Sequence, residues 1–147
     1  VDVSKYEFVR IPIREEWGVL VSEGSELAQK TSVTPQDLAD KPLLFARRDL
    51  VKRELMNWFG SYADDLNIVA CGNLPFNLSM LVQQGMGAYL SIQKSCKYDG
   101  VCFRPLSPKL ESNVVLAWKK NQAMSSAAQG LIEEAKKYIE CISCNKE

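Results

Sequence analysis

A strand, a helix and a second strand follow one another near the middle of this chain, and this unit constrains the fold most. Residues 68–71 form a short, partly β-branched apolar run, typical of a strand buried on both faces, which ends at a Gly-Asn pair. Asn73 or Asn77 can cap the following helix, Gly85 can end it, and residues 88–92 are again extended and apolar. Such units place the free N–H groups of a helix start at the carboxyl end of a strand, where small ligands bind.

Strands and helices alternate in the first half of the chain as well. Residues 6–13 and 17–21 predict two strands, separated by the charged residues 14–16. Residues 43–46 predict a short strand and residues 49–59 an amphipathic helix that ends at a glycine. This alternation favours an α/β sheet with helices on both faces.

The second half continues the pattern. Residues 101–105 and 114–118 predict two more strands, and Ser125 or Ser126 can cap a final amphipathic helix. The residues predicted to face inward on this helix are Leu131, Ile132, Ala135 and Ile139. Strands that adjoin near both ends of the chain allow a mixed sheet.

Composition excludes several classes of function. The chain has 147 residues, 46% of them hydrophobic, which is enough for one compact domain. Eighteen basic residues balance eighteen acidic ones, so direct DNA binding by this chain is not expected. The absence of histidine excludes Ser-His-Asp and Cys-His catalysis, as well as histidine metal ligation, by this chain alone.

Cysteine number and hydropathy indicate the compartment. The chain has five cysteines, an odd number, and is large enough to fold without disulfide bonds. This favours reduced thiols and a cytoplasmic location. No apolar run approaches the roughly 20 residues of a membrane span, so no membrane contact is expected.

The order of several motifs resembles the effector-binding domain of LysR-type transcriptional regulators. LVQQGMGAYLSI is similar to the family signature LVxxGLGIALLP, and VVLAWKKN is similar to its late LxWKxN strand. Ser25, Met86 and Ile92 depart from the His, Leu and Pro that are usual in the family. The other matching segments are SEGSELAQK, VTPQDLADKPLLFARR, FRPL and SSAAQGLIEEAKKYI.

The resemblance implies a fold and a domain organisation. The expected fold is α/β and similar to periplasmic-binding-protein type II, with a mostly parallel or mixed sheet flanked by helices and a C-terminal helix. Residues 14–120 would form the second effector subdomain. Residues 1–13 and 121–147 would form the crossing strand and the returning helix of the first subdomain. The helix-turn-helix of the family has no counterpart in these 147 residues.

The resemblance also implies an effector site in the cleft between two subdomains. The second subdomain would contribute the ends of two strands and the turn after one of them. In this chain the corresponding residues are Arg47, Cys71, Gly72, Asn73, Leu74, Pro75 and Phe76. Free N–H groups at a helix start and a nearby guanidinium both favour an anion, so the expected effector is a small carboxylate.

Some of these residues also have purely structural explanations. Asn73 can serve only as a helix cap, Arg48 can be a solvated surface charge, and Phe76 can either cover the ligand or belong to the core. Cys141 and Cys144 have the spacing of a redox pair or half a zinc site. They follow a predicted helix, whose dipole disfavours a thiolate, so we expect no metal and no cofactor.

The sequence thus favours a sensor over an enzyme. The expected protein is the ligand-sensing domain of a regulator that binds DNA only through a separate N-terminal domain and forms a homodimer or tetramer at full length. Two alternatives remain at this point. One is a fragment of an extracytoplasmic solute-binding protein, and the other is a small enzyme that uses Cys71 as its nucleophile.

Overall fold

A computed structural model describes residues 2–47, 49–93 and 98–144 of the chain. Apolar strands and amphipathic helices form two compact units. The first unit comprises the chain up to Glu15 and from Ser112 onward, and the second comprises Glu16–Glu111. The strands are β1 (Tyr6–Ser22), β2 (Leu43–Ala46), β3 (Ile68–Gly72), β4 (Ala88–Ile92), β5 (Val101–Pro105) and β6 (Glu111–Lys119). The helices are α1 (Pro35–Leu38), α2 (Asp49–Phe59), α3 (Pro75–Gln83) and α4 (Ser126–Cys144), with 3₁₀ helices at Glu26–Gln29 and Gly60–Asp65.

The sheet of the second unit is mixed, with the strand order β3-β2-β4-β1-β5. β2 pairs in parallel with both β3 and β4, because α2 and α3 return the chain between these strands. β1 runs antiparallel to β4 and to β5. The carboxyl ends of β2, β3 and β4 therefore lie at the same edge, and the expected α/β fold with a mixed sheet and a C-terminal helix is confirmed.

Two apolar clusters cover the two faces of this sheet. Leu43 and Phe45 of β2 face the larger cluster, which α2 and the first 3₁₀ helix complete. Leu44 faces the smaller cluster under α3. All three side chains are fully buried because β2 lies inside the sheet. The prediction that β3 is buried on both faces is wrong, since β3 is an edge strand and Val69 is 46% exposed.

β1 is a single strand of 17 residues, where two strands separated by charged residues were predicted. Arg14 and Glu15 lie within the strand and do not break it. Charged side chains can remain in solvent while their backbone keeps an extended conformation, and residues 14–16 include no glycine or asparagine to form a turn. The same strand contributes residues to both units.

A capping box begins α1, with Thr34 as the N-cap residue. The Thr34 hydroxyl accepts a hydrogen bond from the Asp37 N–H at 3.3 Å, and the Asp37 carboxylate accepts one from the Thr34 N–H at 3.0 Å. Lys30 donates to the same carboxylate at 2.9 Å. The Lys30 hydrogen bond and the Thr34 N–H together lower the pKa of Asp37 to about 2.

Asp37→Asn is expected to lower the free energy of unfolding by about 1 kcal/mol at neutral pH, because it removes the charge that both donors stabilise. The folded pKa lies below the ordinary value of 3.8, so this stability is fully present above about pH 4 and is lost as the pH falls toward 2. Urea unfolding at pH 7 and at pH 3 measures the difference. Asp40→Asn is the control, because its carboxylate is exposed and should contribute almost nothing. An equal loss at both pH values would contradict this explanation.

Glycines permit two close approaches and one helix end in the second unit. Gly85 has a φ of 75° and ends α3 with two hydrogen bonds, from its own N–H to the Val82 carbonyl and from the Met86 N–H to the Leu81 carbonyl. At Gly87 an added Cβ would overlap the Pro42 carbonyl oxygen. At Gly18 it would overlap the ring of Phe103 and a carbonyl of β5.

In the first unit β6 pairs with β1, and α4 begins with the Ser125 hydroxyl accepting a hydrogen bond from the Ala128 N–H at 3.2 Å. The Trp118 indole donates to Glu7 at 3.0 Å. The prediction that Leu131 faces inward is wrong, since its side chain is 66% exposed, whereas Ile132 and Ala135 are half-buried. No helix in the described ranges combines the length and the apolar character of a membrane span.

Candidate functional site

The carboxyl ends of β2 and β3 lie side by side. Ala46 pairs with Gly72, and the Arg47 N–H donates to the Gly72 carbonyl at 3.0 Å. Cys71, one residue earlier, pairs with Phe45 and has an exposed side chain. Two neighbouring parallel strands thus bring Arg47, Cys71 and Gly72 to one edge of the sheet, although 23 residues separate the first two along the chain.

No side chain caps the start of α3. The N-cap residue is Leu74, and Pro75 occupies the first helical position. The prediction that Asn73 or Asn77 caps the helix is therefore wrong. Because Pro75 has no N–H, the first free donors of α3 are the N–H groups of Phe76 and Asn77, which no carbonyl within the helix can accept.

Gly72 brings α3 close to the sheet. A Cβ at this position would lie 3.1 Å from the Leu78 side chain, which is buried on the inner side of α3. A larger residue would push the helix outward, so Gly72 helps to set the position of the uncapped helix start relative to β3.

Two large apolar side chains flank the helix start and remain accessible. Leu74 is 61% exposed and Phe76 is 60% exposed. The Phe76 ring lies 6.2 Å from the ring of Tyr98, with an interplanar angle of 54°. Phe76 is thus not a core residue, and Tyr98 joins the candidate site. Tyr98 is not predicted by any motif of the sequence, in which its only signal is that of an aromatic residue in the polar segment after β4.

A cavity of about 620 Å³ adjoins this aromatic pair. Pro75 and Tyr98 line it, together with Ser91 and Gln93 from the end of β4. Among the residues that the structure describes, the charged wall residues are the acids Glu23 and Asp99, whose negative charge disfavours an anionic group inside the cavity.

Arg47 is the cation of the candidate site. Its side chain is exposed, and no ion pair holds it within residues 2–47, 49–93 and 98–144. Arg48 lies outside the described residues. An exposed guanidinium without a fixed partner is free to bind a carboxylate in a bidentate manner.

The cysteines do not form a metal centre in the part of the chain that is described. No group of three potential ligands among His, Cys, Asp and Glu is found there. Cys141 is exposed on α4, whereas Cys96 and the side chain of Cys144 lie outside the described residues. The redox or zinc interpretation of the Cys141–Cys144 pair thus gains no support from geometry.

The structure brings most of the predicted site residues to one place. Arg47, Cys71 and Gly72 lie at the strand ends, and Asn73 follows them with an exposed side chain. Leu74, Pro75 and Phe76 form the N-cap and the first turn of α3. Their role in binding an effector stays a prediction.

Comparison with known proteins identifies one family. The sequence profile of the LysR substrate binding domain matches residues 2–140. No curated protein matches the chain significantly.

Solved structures share the fold. The effector binding domain of QuiR in complex with shikimate superposes with a TM-score of 0.80 at 23% identity, covering 95% of this chain and 68% of that one. HinK, a LysR family regulator from Pseudomonas aeruginosa, gives 0.74 at 20% identity, covering 92% of this chain and 50% of that one. The regulatory domain of CcmR from Synechocystis PCC6803 in complex with 2-PG gives 0.76 at 12%, covering 95% and 69%. The chain thus spans about half the length of HinK.

Proposed function

Because the chain belongs to the LysR substrate-binding domain family, we propose that it senses a small carboxylate effector for a LysR-type transcriptional regulator. The effector binds where β2 and β3 end and α3 begins, and this edge of the sheet forms one wall of the effector cleft. We assign to this wall Arg47, Cys71, Gly72, Asn73, Leu74, Pro75 and Phe76, and we add Tyr98 because its ring lies near that of Phe76.

The uncapped start of α3 is the observation that carries the proposal. Two backbone donors, the N–H groups of Phe76 and Asn77, lack acceptors within the helix and no side chain caps them. The helix dipole adds partial positive charge at the same place, which favours an anionic acceptor. The Arg47 N–H donates to the carbonyl of Gly72, two residues before the N-cap, so the Arg47 backbone lies beside the strand end that leads to these donors.

The apolar residues of the site favour an effector that has a hydrophobic part beside its carboxylate. Leu74 and Phe76 present aliphatic and aromatic surface beside the donors, and the Phe76–Tyr98 pair extends that surface. A carboxylate on a small ring fits both the polar donors and the apolar surface of the site. Its charged end accepts hydrogen bonds from the N–H groups, while its ring packs on the aromatic side chains. The shikimate in the QuiR complex is a ligand of this class, a ring that bears one carboxylate.

The site supports binding without chemistry. With no histidine in the chain, no ordinary near-neutral general base is available to activate Cys71. We propose that the chain is not an enzyme. We further propose that the whole regulator is cytoplasmic, contacts DNA through a separate N-terminal domain and assembles as a homodimer or tetramer. The assignment of residues 14–120 to the second effector subdomain also stays a prediction.

Titration of the ¹⁵N-labelled chain with shikimate, cyclohexanecarboxylate and succinate tests the site by NMR. We expect at least one of them to give saturable shifts of the Phe76 and Asn77 amides. Arg47→Gln should weaken that binding about tenfold, because it removes a charged hydrogen-bond donor. Arg53→Gln is the matched control, since Arg53 is an exposed arginine on α2 and should leave the affinity unchanged.

Methyl esters of the same acids test whether the site requires a negatively charged ligand. They should bind at least tenfold more weakly than the acids if the helix start selects an anion. Equal shifts from acid and ester would refute the anionic class while leaving the location intact. Shifts confined to other residues, or an Arg47→Gln variant with unchanged affinity, would refute the location.

A further inference from the structure

A second cavity lies at the opposite edge of the same sheet. The amino ends of β2 and β4 and the carboxyl end of β1 meet there, because β1 runs antiparallel to β4. The cavity has a volume of about 370 Å³, which is within the range of small-ligand sites. Its apolar wall consists of Val21, Leu27, Pro42, Val82 and Ala88.

One polar atom in the wall has no partner. The Ser25 hydroxyl oxygen is the single buried side-chain nitrogen or oxygen without a hydrogen bond among the residues that the structure describes. The backbone of Ser25 is satisfied, since its N–H donates to the Ser22 carbonyl at 2.9 Å and its carbonyl accepts from the Ala28 N–H at 3.0 Å. An unpaired buried hydroxyl is unfavourable, so an acceptor that reaches the Ser25 oxygen from this cavity gains a hydrogen bond without breaking an existing one.

The charges at this cavity do not select an anion. Lys41 lines it, but its ammonium lies 3.4 Å from the Asp40 carboxylate. Glu26 lines it as well and adds a negative charge. The cavity therefore differs in kind from the start of α3, where the Arg47 guanidinium and free N–H groups favour a carboxylate.

From these three observations we propose a second small-molecule site in this cavity, for a neutral and largely apolar molecule with one hydrogen-bond acceptor. The acceptor takes the Ser25 hydroxyl proton in a hydrogen bond, and the remaining atoms pack between the first 3₁₀ helix and the end of α3. This site shares no residue with the proposed effector wall, so either site can fail without the other.

Titration of the ¹⁵N-labelled chain with cyclohexanone tests the proposal by NMR. Saturable shifts are expected at the amides of Ser25, Leu27 and Ala88, without shifts at Phe76 and Asn77. Ser25→Ala should raise the dissociation constant about threefold to tenfold, because one hydrogen bond is lost. The variant should fold normally, since the hydroxyl it removes has no partner, and urea unfolding verifies this. Ser61→Ala, an exposed serine on the second 3₁₀ helix, should not alter binding.

Three results would overturn the proposal. The first is an absence of shifts at these amides up to the solubility limit of cyclohexanone, with a bound water detected at the Ser25 hydroxyl, which means that the cavity holds water only. The second is equal affinity in Ser25→Ala and in the unchanged chain. The third is equal or tighter binding of cyclohexanecarboxylate in this cavity, which would refute the neutral class.

Discussion

Gly87→Ala is expected to lower the free energy of unfolding by about 3 kcal/mol, because the added methyl group has no space. A Cβ at this position would overlap the Pro42 carbonyl oxygen, which already accepts a hydrogen bond from the Ala88 N–H at 2.9 Å. Pro42 leads directly into β2, which is held between β3 and β4 and cannot easily retreat. Urea unfolding followed by far-UV circular dichroism measures the loss.

Two other glycines provide graded controls for this prediction. Gly85→Ala should cost only about 1 kcal/mol, because Gly85 has a positive φ but open space around its Cα. Gly24→Ala should change stability by less than about 0.5 kcal/mol, since Gly24 has neither a positive φ nor an atom close to an added Cβ. If Gly87→Ala proved no more costly than Gly85→Ala, the close approach of Pro42 would not be the cause.

Phe59→Ala is expected to cost about 4 kcal/mol, the usual loss when a large aromatic side chain leaves a cavity in a packed core. Phe59 is 1% exposed, and its ring lies 6.4 Å from Phe45 and 5.0 Å from Trp58, with an edge-on arrangement to the latter. Its deletion removes contacts that join α2 to β2. Urea unfolding should therefore show a much earlier transition.

Phe76→Ala is the matched control, because it removes the same atoms from a ring that is 60% exposed. Its stability should stay within about 0.5 kcal/mol of the unchanged chain. The same variant should weaken the binding of a ring carboxylate about fivefold, since it deletes an aromatic contact. A large loss of stability in Phe76→Ala would show that this residue has a packing role after all.

Most elements could be predicted from local signals. The bounds of β2, α2, β4 and β5 agree with those predicted, because glycines, prolines and caps mark their ends. The errors concern exposure, which depends on neighbours that are distant in sequence. Val69 looks like a buried strand residue until β3 is found at the edge of the sheet, and Leu131 belongs to the predicted apolar stripe of α4 but is exposed, unlike the other residues of that stripe.

In the candidate site, too, the residues that are contiguous in sequence could be predicted, whereas a contact between distant residues could not. Residues 71–76 are contiguous, so the strand-helix pattern alone could place them together. Arg47 joins them through a strand pairing between β2 and β3, which the resemblance to the family implied. Tyr98 could not be found, because its ring meets that of Phe76 from 22 positions further along the chain, and no sequence period encodes such a contact.

The lack of a side chain at Gly18 in β1 limits which residues can occupy this position in related proteins. The ring of Phe103 and the carbonyl of Arg104 occupy the space that a side chain at position 18 would need. A larger residue at position 18 is compatible with this fold only together with a smaller one at position 103 and a local shift of β5. The two positions therefore form one unit of evolutionary variation, and they should covary among homologues even though 84 residues separate them.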